Sequence, residues 1–126
     1  VAEAAEVSVT GPDIRVHRVV CAIDCGRTVN PDLIRAQIEG AVANGVSAAL
    51  KETVRVDHGQ IMHATFEDYP ILRLAEMPQV EVYIVESEGP PGGVGEPGLP
   101  PVAPAIANAV AAATGRRLRE LPLKLT

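Results

Sequence analysis

Between residues 3 and 10, Val and Ala alternate with polar residues, which is the period of a half-buried strand. Gly11-Pro12-Asp13 then marks a turn, so this run forms the first half of a hairpin. Residues 14–24 (IRVHRVVCAID) are β-branched and increasingly continuous in apolar content, predicting a central strand covered on both faces. Gly26 breaks it. Helical spacing follows at Leu33, Ile34, Ile38, Ala41, Val42, Gly45, Ala48 and Ala49. Asn30 suits the cap, Pro31 the first helical position, and Asp32 the positive end of the helix dipole. Gly40 and Gly45 each cost this helix about 1 kcal/mol relative to Ala, so something is expected to approach its backbone closely. Gln37 lies one turn from Ile34 and Ala41 and is predicted to share their inward-facing side, where its amide needs partners.

Further on, residues 52–56 and 61–64 flank Asp57-His58-Gly59-Gln60, a good hairpin connection. Residues 68–78 are irregular, punctuated by Pro70 and Pro78. Residues 79–86 (QVEVYIVE) alternate as a strand with one wet face, and 104–114 form an Ala-rich helix closed by Gly115. A short strand is predicted over 118–121. Strands and helices alternate without regular βαβ units, which predicts one α+β domain over residues 1–126: a two-layer sandwich with a mixed sheet covered by two main helices.

A chain of 126 residues is long enough to bury roughly two-thirds of its unfolded surface. With one Phe, two Tyr and no Trp, that core must be built from Val, Ile, Leu and Ala. A net charge of −5 argues against a nucleic-acid partner, and no apolar run reaches the roughly 18 residues of a membrane span. The first residue is Val rather than Met, and residues 1–9 lack the basic start of a signal peptide, which points to a fragment, a processed subunit or one piece of a larger polypeptide. Cys21 and Cys25 stand four apart in an extended run, too far to bond to each other, and are read as small buried hydrophobes.

The run Pro90-Pro91-Gly92-Gly93-Val94-Gly95-Glu96-Pro97-Gly98 places one carboxylate on a loop nearly free of side chains. Glycines let a backbone approach a bulky ligand, and the prolines stiffen the loop. Glu96 is therefore a candidate general base, since few polar neighbours disfavour its charged form. The residues alone equally allow a solvated Glu on a surface turn. Other polar residues have structural readings. His17 lies in a strand, His58 in a hairpin turn, and His63 is isolated. Asp24 caps a loop, Glu67 and Asp68 are a solvated pair, and Ser47 has no base beside it. No His, Cys, Asp and Glu spacing matches zinc or a non-haem iron triad, so no side-chain-ligated metal is expected.

Three segments together resemble the C-terminal part of the molybdopterin-binding large subunit of the xanthine oxidase family of molybdenum hydroxylases. They are Asp24-Cys25-Gly26-Arg27-Thr28-Val29-Asn30-Pro31, then Gln37-Ile38-Glu39-Gly40-Ala41, then Gly93-Val94-Gly95-Glu96-Pro97-Gly98. The wording around the last is most similar to the bacterial isoquinoline oxidoreductase and membrane-bound aldehyde dehydrogenase group. The resemblance implies hydroxylation of an aldehyde or an N-heteroaromatic carbon with oxygen taken from water, Glu96 acting as the base. It implies a molybdopterin-type cofactor, with a cytosine dinucleotide form as one candidate, held without any side-chain metal ligand. Gln37 would contact that cofactor, as would the backbone at Val94 and Gly95. Asn44 departs from the Gln that many relatives carry there.

The same resemblance implies that the rest of the pocket lies in the remainder of the large polypeptide. Electron-accepting iron–sulfur and c-type haem subunits would be further partners, and a bacterial periplasm or the periplasmic face of a membrane the location, with the cytoplasm as the alternative. Alone, the piece would hold a base without its metal and be inactive. The competing expectation is a non-catalytic binding or assembly module that keeps the fold without cofactor.

Overall fold

The computed structural model describes residues 1–125. Strand β1 (Ala2–Thr10) turns at Gly11, whose φ of +60° favours glycine, into the long central strand β2 (Asp13–Ile23). The two pair antiparallel, and β5 (Gln79–Ile84) pairs parallel on the other side of β2, giving the order β1-β2-β5. Helices α1 (Pro31–Leu50) and α2 (Val102–Thr114) cover one face, α2 lying chiefly on β1. The expected two-layer α+β sandwich with a mixed sheet is what forms.

The apolar run in β2 has a more specific cause than burial on both faces. The register slips between Glu6 and Val7, leaving His17 as an extra residue on β2. That bulge puts Val16 and Val19 on the same side, where they join Cys21 and Ile23 in the core. The opposite face is only half covered: Val20 and Ala22 are partly exposed beside Arg18, whose guanidinium donates to both Glu81 carboxylate oxygens at 2.7 and 3.1 Å. The strand is central but not buried on both sides. His17 uses its place outside the ladder to hydrogen-bond Ser8 Oγ at 2.6 Å. Cys21 and Cys25 are buried free thiols.

Helix α1 starts as its local chemistry dictates, with Asn30 Oδ1 accepting from the backbone N–H groups of Asp32 and Leu33 at 3.1 Å. Its buried stripe runs Ile34, Ile38, Val42, Val46, with Ala41, Gly45 and Ala49 alongside, while Leu33 stays exposed. Gly45 is where α2 crosses closely: a Cβ there would lie 2.6 Å from Val102 Cβ. Gly40 has no such neighbour within 4 Å. Helix α2 begins at Val102, two residues before its predicted start, and ends on Gly115 in the left-handed region at φ +74°.

The stretch between α1 and β5 is largely irregular. It holds a two-residue hairpin, β3 (Val56–Asp57) and β4 (Gln60–Ile61), and a 3₁₀ turn at Leu74–Glu76. His58 and Gly59 form the hairpin turn, both at positive φ. Side chains tie this excursion to the end of α1. Ser47 Oγ accepts from Leu72 N–H at 2.9 Å, Lys51 Nζ meets Glu76 at 2.6 Å, and Tyr69 Oη donates to Glu52 at 2.9 Å. His63 is not isolated: its Nδ1 accepts from Arg55 N–H and its ring meets Tyr69 edge-on. Asp68 likewise has a local task, accepting from Ala64 and Thr65. Residues 118–121 are not a strand. Leu121 is exposed, and the chain instead docks Leu123 and Leu125 into the core, with Leu123 N–H donating to Ala49 C=O at 2.7 Å.

Candidate active site

The turn after β2 and the Pro/Gly loop are knitted together by backbone and side-chain hydrogen bonds. Arg27 N–H donates to Gly89 C=O at 2.9 Å, and Gly92 N–H to Cys25 C=O at 2.7 Å. Asp24 Oδ1 accepts from Gly26 N–H at 3.0 Å and Ser87 Oγ at 2.7 Å, which holds its carboxyl below the ordinary carboxylate value. Only glycine fits at position 26. Its φ is +73°, and a Cβ would fall 2.1 Å from Pro90 C=O oxygen.

Beyond that anchor the loop crosses to α1. Val94 turns toward the core, and Gly98 lies flat on the helix, where a Cβ would be 3.0 Å from Ile38 Cδ1 and 3.2 Å from Ala41 Cβ. Between these two points Glu96 is exposed, and Leu99 N–H donates back to its C=O at 3.0 Å before α2 begins. The Glu96 segment, distant along the chain from the other two, thus meets both of them: the turn at Cys25–Arg27 and the first turns of α1.

Gln37 faces a different way from the sequence expectation. It is exposed rather than inward, because the sheet covers α1 along the Ile34–Ile38–Val42 line and leaves the adjoining flank open. Its side chain reaches toward the loop, and a Cβ on Gly95 would lie 3.9 Å from Gln37 Oε1. Gln37 and Glu96 line one open cleft of about 540 Å³, shared with Gly40, Ala41, Asn44, Gly95, Leu99 and Pro100. A second hollow also touches Glu96, walled by Gly93, Gly95, Pro97 and Pro100.

Sequence reasoning missed the walls and the anchor. Leu99 and Pro100 give the cleft an apolar side, and Ser87 fastens the loop; neither carries a spacing signal that pairs it with Glu96. Asn44 was visible only as a departure from a pattern. Thr28 Oγ1 is buried with no hydrogen-bond partner among the described residues.

A family model for the molybdopterin cofactor-binding domain matches residues 1–78, and the chain belongs to that family. The loop bearing Glu96 lies beyond the matched stretch. The chain is 45% identical over 111 residues to the beta chain of isoquinoline 1-oxidoreductase from Brevundimonas diminuta, covering 88% of this chain and 14% of that protein. It is 41% identical over 112 residues to a component of the nicotinate dehydrogenase of Pseudomonas putida, covering 88% of this chain and 9% of that one. Among solved structures, quinoline 2-oxidoreductase from Pseudomonas putida 86 superposes with a TM-score of 0.80 at 27% identity, over 87% of this chain and 15% of its own. The chain therefore spans about a seventh of the curated relative it matches at 45% identity, as the 14% coverage states.

The residues present fit a molybdopterin-type group. The cleft is bare backbone at Gly40 and Gly95; its helix side carries the amides of Gln37 and Asn44, which offer donors and acceptors to a heterocycle, and its loop side carries the Glu96 carboxylate. Within the described residues no three His, Cys, Asp or Glu side chains are placed to hold a metal ion. No described helix is long and apolar enough to cross a membrane.

Proposed function

We propose that this domain supplies the general base and one wall of the cofactor pocket of a molybdenum hydroxylase. The observation that carries the reading is the single cleft shared by Glu96 and Gln37, with the Glu96 loop fastened at Asp24–Gly26 and seated on α1 at Gly98. The cofactor, when bound, supplies the two-electron oxidation. Glu96 takes up the proton released as the oxygen of water bonds to the substrate carbon. Overall the carbon loses a hydrogen and gains a hydroxyl, with two electrons and two protons given up. Gln37 holds the heterocycle by its amide, with backbone N–H groups at Val94 and Gly95 as further contacts. Leu99 and Pro100 keep water from the apolar side.

The relatives named for isoquinoline, nicotinate and quinoline support an N-heteroaromatic substrate, with an aldehyde as the other class. Partners in this reading are the rest of the large polypeptide and electron-accepting subunits carrying iron–sulfur clusters or c-type haem. The cytosine dinucleotide form of the pterin belongs to the same proposal. Glu96→Gln in the full-length assembled enzyme is expected to lower kcat by about 10²- to 10⁴-fold, with molybdenum and pterin content unchanged. Turnover near the parent value would reject Glu96 as the base.

A further inference from the structure

Helix α1 carries two glycines, and packing explains one of them. Gly45 must lack a side chain because Val102 of α2 would stand 2.6 Å from its Cβ. Gly40 is exposed, and a Cβ there would meet nothing within 4 Å. A mid-helix glycine with open space above it lowers helix stability and returns nothing to this fold. Yet Gly40 lies on the cleft wall between Gln37 and Asn44, facing the same hollow as Gly95 and Glu96. Residues 37 and 44 are two helical turns apart, about 10 Å along the axis at about 1.5 Å per residue. That span is comparable to a fused-ring heterocycle with polar atoms at both ends. Each amide offers two donors and an acceptor, so the pair can grip such a group at its two ends while it lies across the bare backbone between them.

We propose that Gly40 is the clearance point, and Asn44 the distal polar contact, of the cofactor seat that Gln37 begins. This rests on the reading of the cleft as a molybdopterin site. The occupant is a planar, heteroatom-rich ring system rather than another stretch of polypeptide, because the polar groups of the wall stand at its ends and its middle is bare.

The test uses the full-length polypeptide that carries this domain, purified with its cofactor. Molybdenum and pterin per protein, and the unfolding midpoint of the cofactor-free form, are measured for Gly40→Ala, Asn44→Ala and Asn44→Gln. Gly40→Ala is expected to reduce cofactor content by about tenfold or more, as an added methyl in a fitted pocket does. Its cofactor-free midpoint should be unchanged or higher. Asn44→Ala should lower the content and Asn44→Gln restore it.

Parent-like cofactor content in Gly40→Ala overturns the inference. So does a lowered midpoint of its cofactor-free form, which would show that polypeptide packs there. Absence of molybdenum and pterin from the parent protein would instead reject the underlying cofactor reading. Cofactor loss in Gly40→Ala beside normal turnover in Glu96→Gln would reject the base and keep the seat.

Discussion

Glu3 and Asp24 are carboxylates with opposite pH behaviour, and their surroundings say why. Glu3 sits on the core-facing side of β1, opposite Cys21, and both its carboxylate oxygens are buried. Burial pushes its pKa above the ordinary 4.5, the Cys21 thiol opposing that only in part, and Cys21 itself is driven up to about 12. The folded chain then holds the Glu3 proton more tightly than the unfolded chain. Stability is therefore full below the unfolded value and falls as pH rises through the folded one. Glu3→Gln is expected to remove that downward slope, read from urea midpoints between about pH 4 and about pH 8. Asp24 is the reverse case. Gly26 N–H and Ser87 hold its pKa down, so its contribution is present above the unfolded value and lost as pH falls through the folded one. Asp24→Asn should flatten the acid limb and speed hydrogen exchange at the Arg27 and Gly92 amides, which the same turn protects. Unchanged exchange at those amides would show that the loop does not depend on Asp24.

At the scale of elements, what was legible in the sequence is what local chemistry decides. The Asn30-Pro31 start of α1, the His58-Gly59 turn and the Gly115 stop depend on a few adjacent residues, and each forms as its residues prescribe. The bulge at His17 and the open flank at Gln37 depend on which surface the sheet and helices present to each other, which periodicity alone cannot show. Residues 118–121 failed as a strand for the same reason: the end of α1 offers Leu123 a backbone acceptor, and the chain docks there instead of on the sheet. The site was legible in part. Glu96 and Gln37 share a cleft, but Gln37 reaches it from an exposed flank rather than an inward face. The two glycines of α1 give a direct test of close packing. In Gly45→Ala the added methyl meets Val102, an overpacking cost of about 1–3 kcal/mol that offsets and exceeds the gain of about 1 kcal/mol in helix propensity. The unfolding midpoint should fall, and Val102→Ala introduced beside it should recover part of the loss, because the two positions touch. Equal midpoints for parent and Gly45→Ala would mean the helices separate at no cost.

For the whole molecule, the decisive fact is how little of its relatives' length it spans. The cleft between α1 and the Glu96 loop is open, the outer sheet face is half covered, and the excursion after α1 exposes large apolar side chains. Phe66 is 99% exposed and Leu74 91% exposed. Neither belongs to the core, so neither stabilises the domain as it stands. Replacing both with Ser should shift the stability of the 126-residue chain by no more than about 0.5 kcal/mol each, the usual range for surface positions. The same double variant should associate less with itself, because side chains this exposed are the ones that bury apolar area when two copies meet. Light scattering across a concentration series, run beside urea denaturation, separates these effects. A large loss of stability would place Phe66 or Leu74 in the domain's own packing. Scattering equal to the parent's would move the source of association to the open sheet face around Val20 and Ala22, where a charged substitution at Ala22 becomes the discriminating variant.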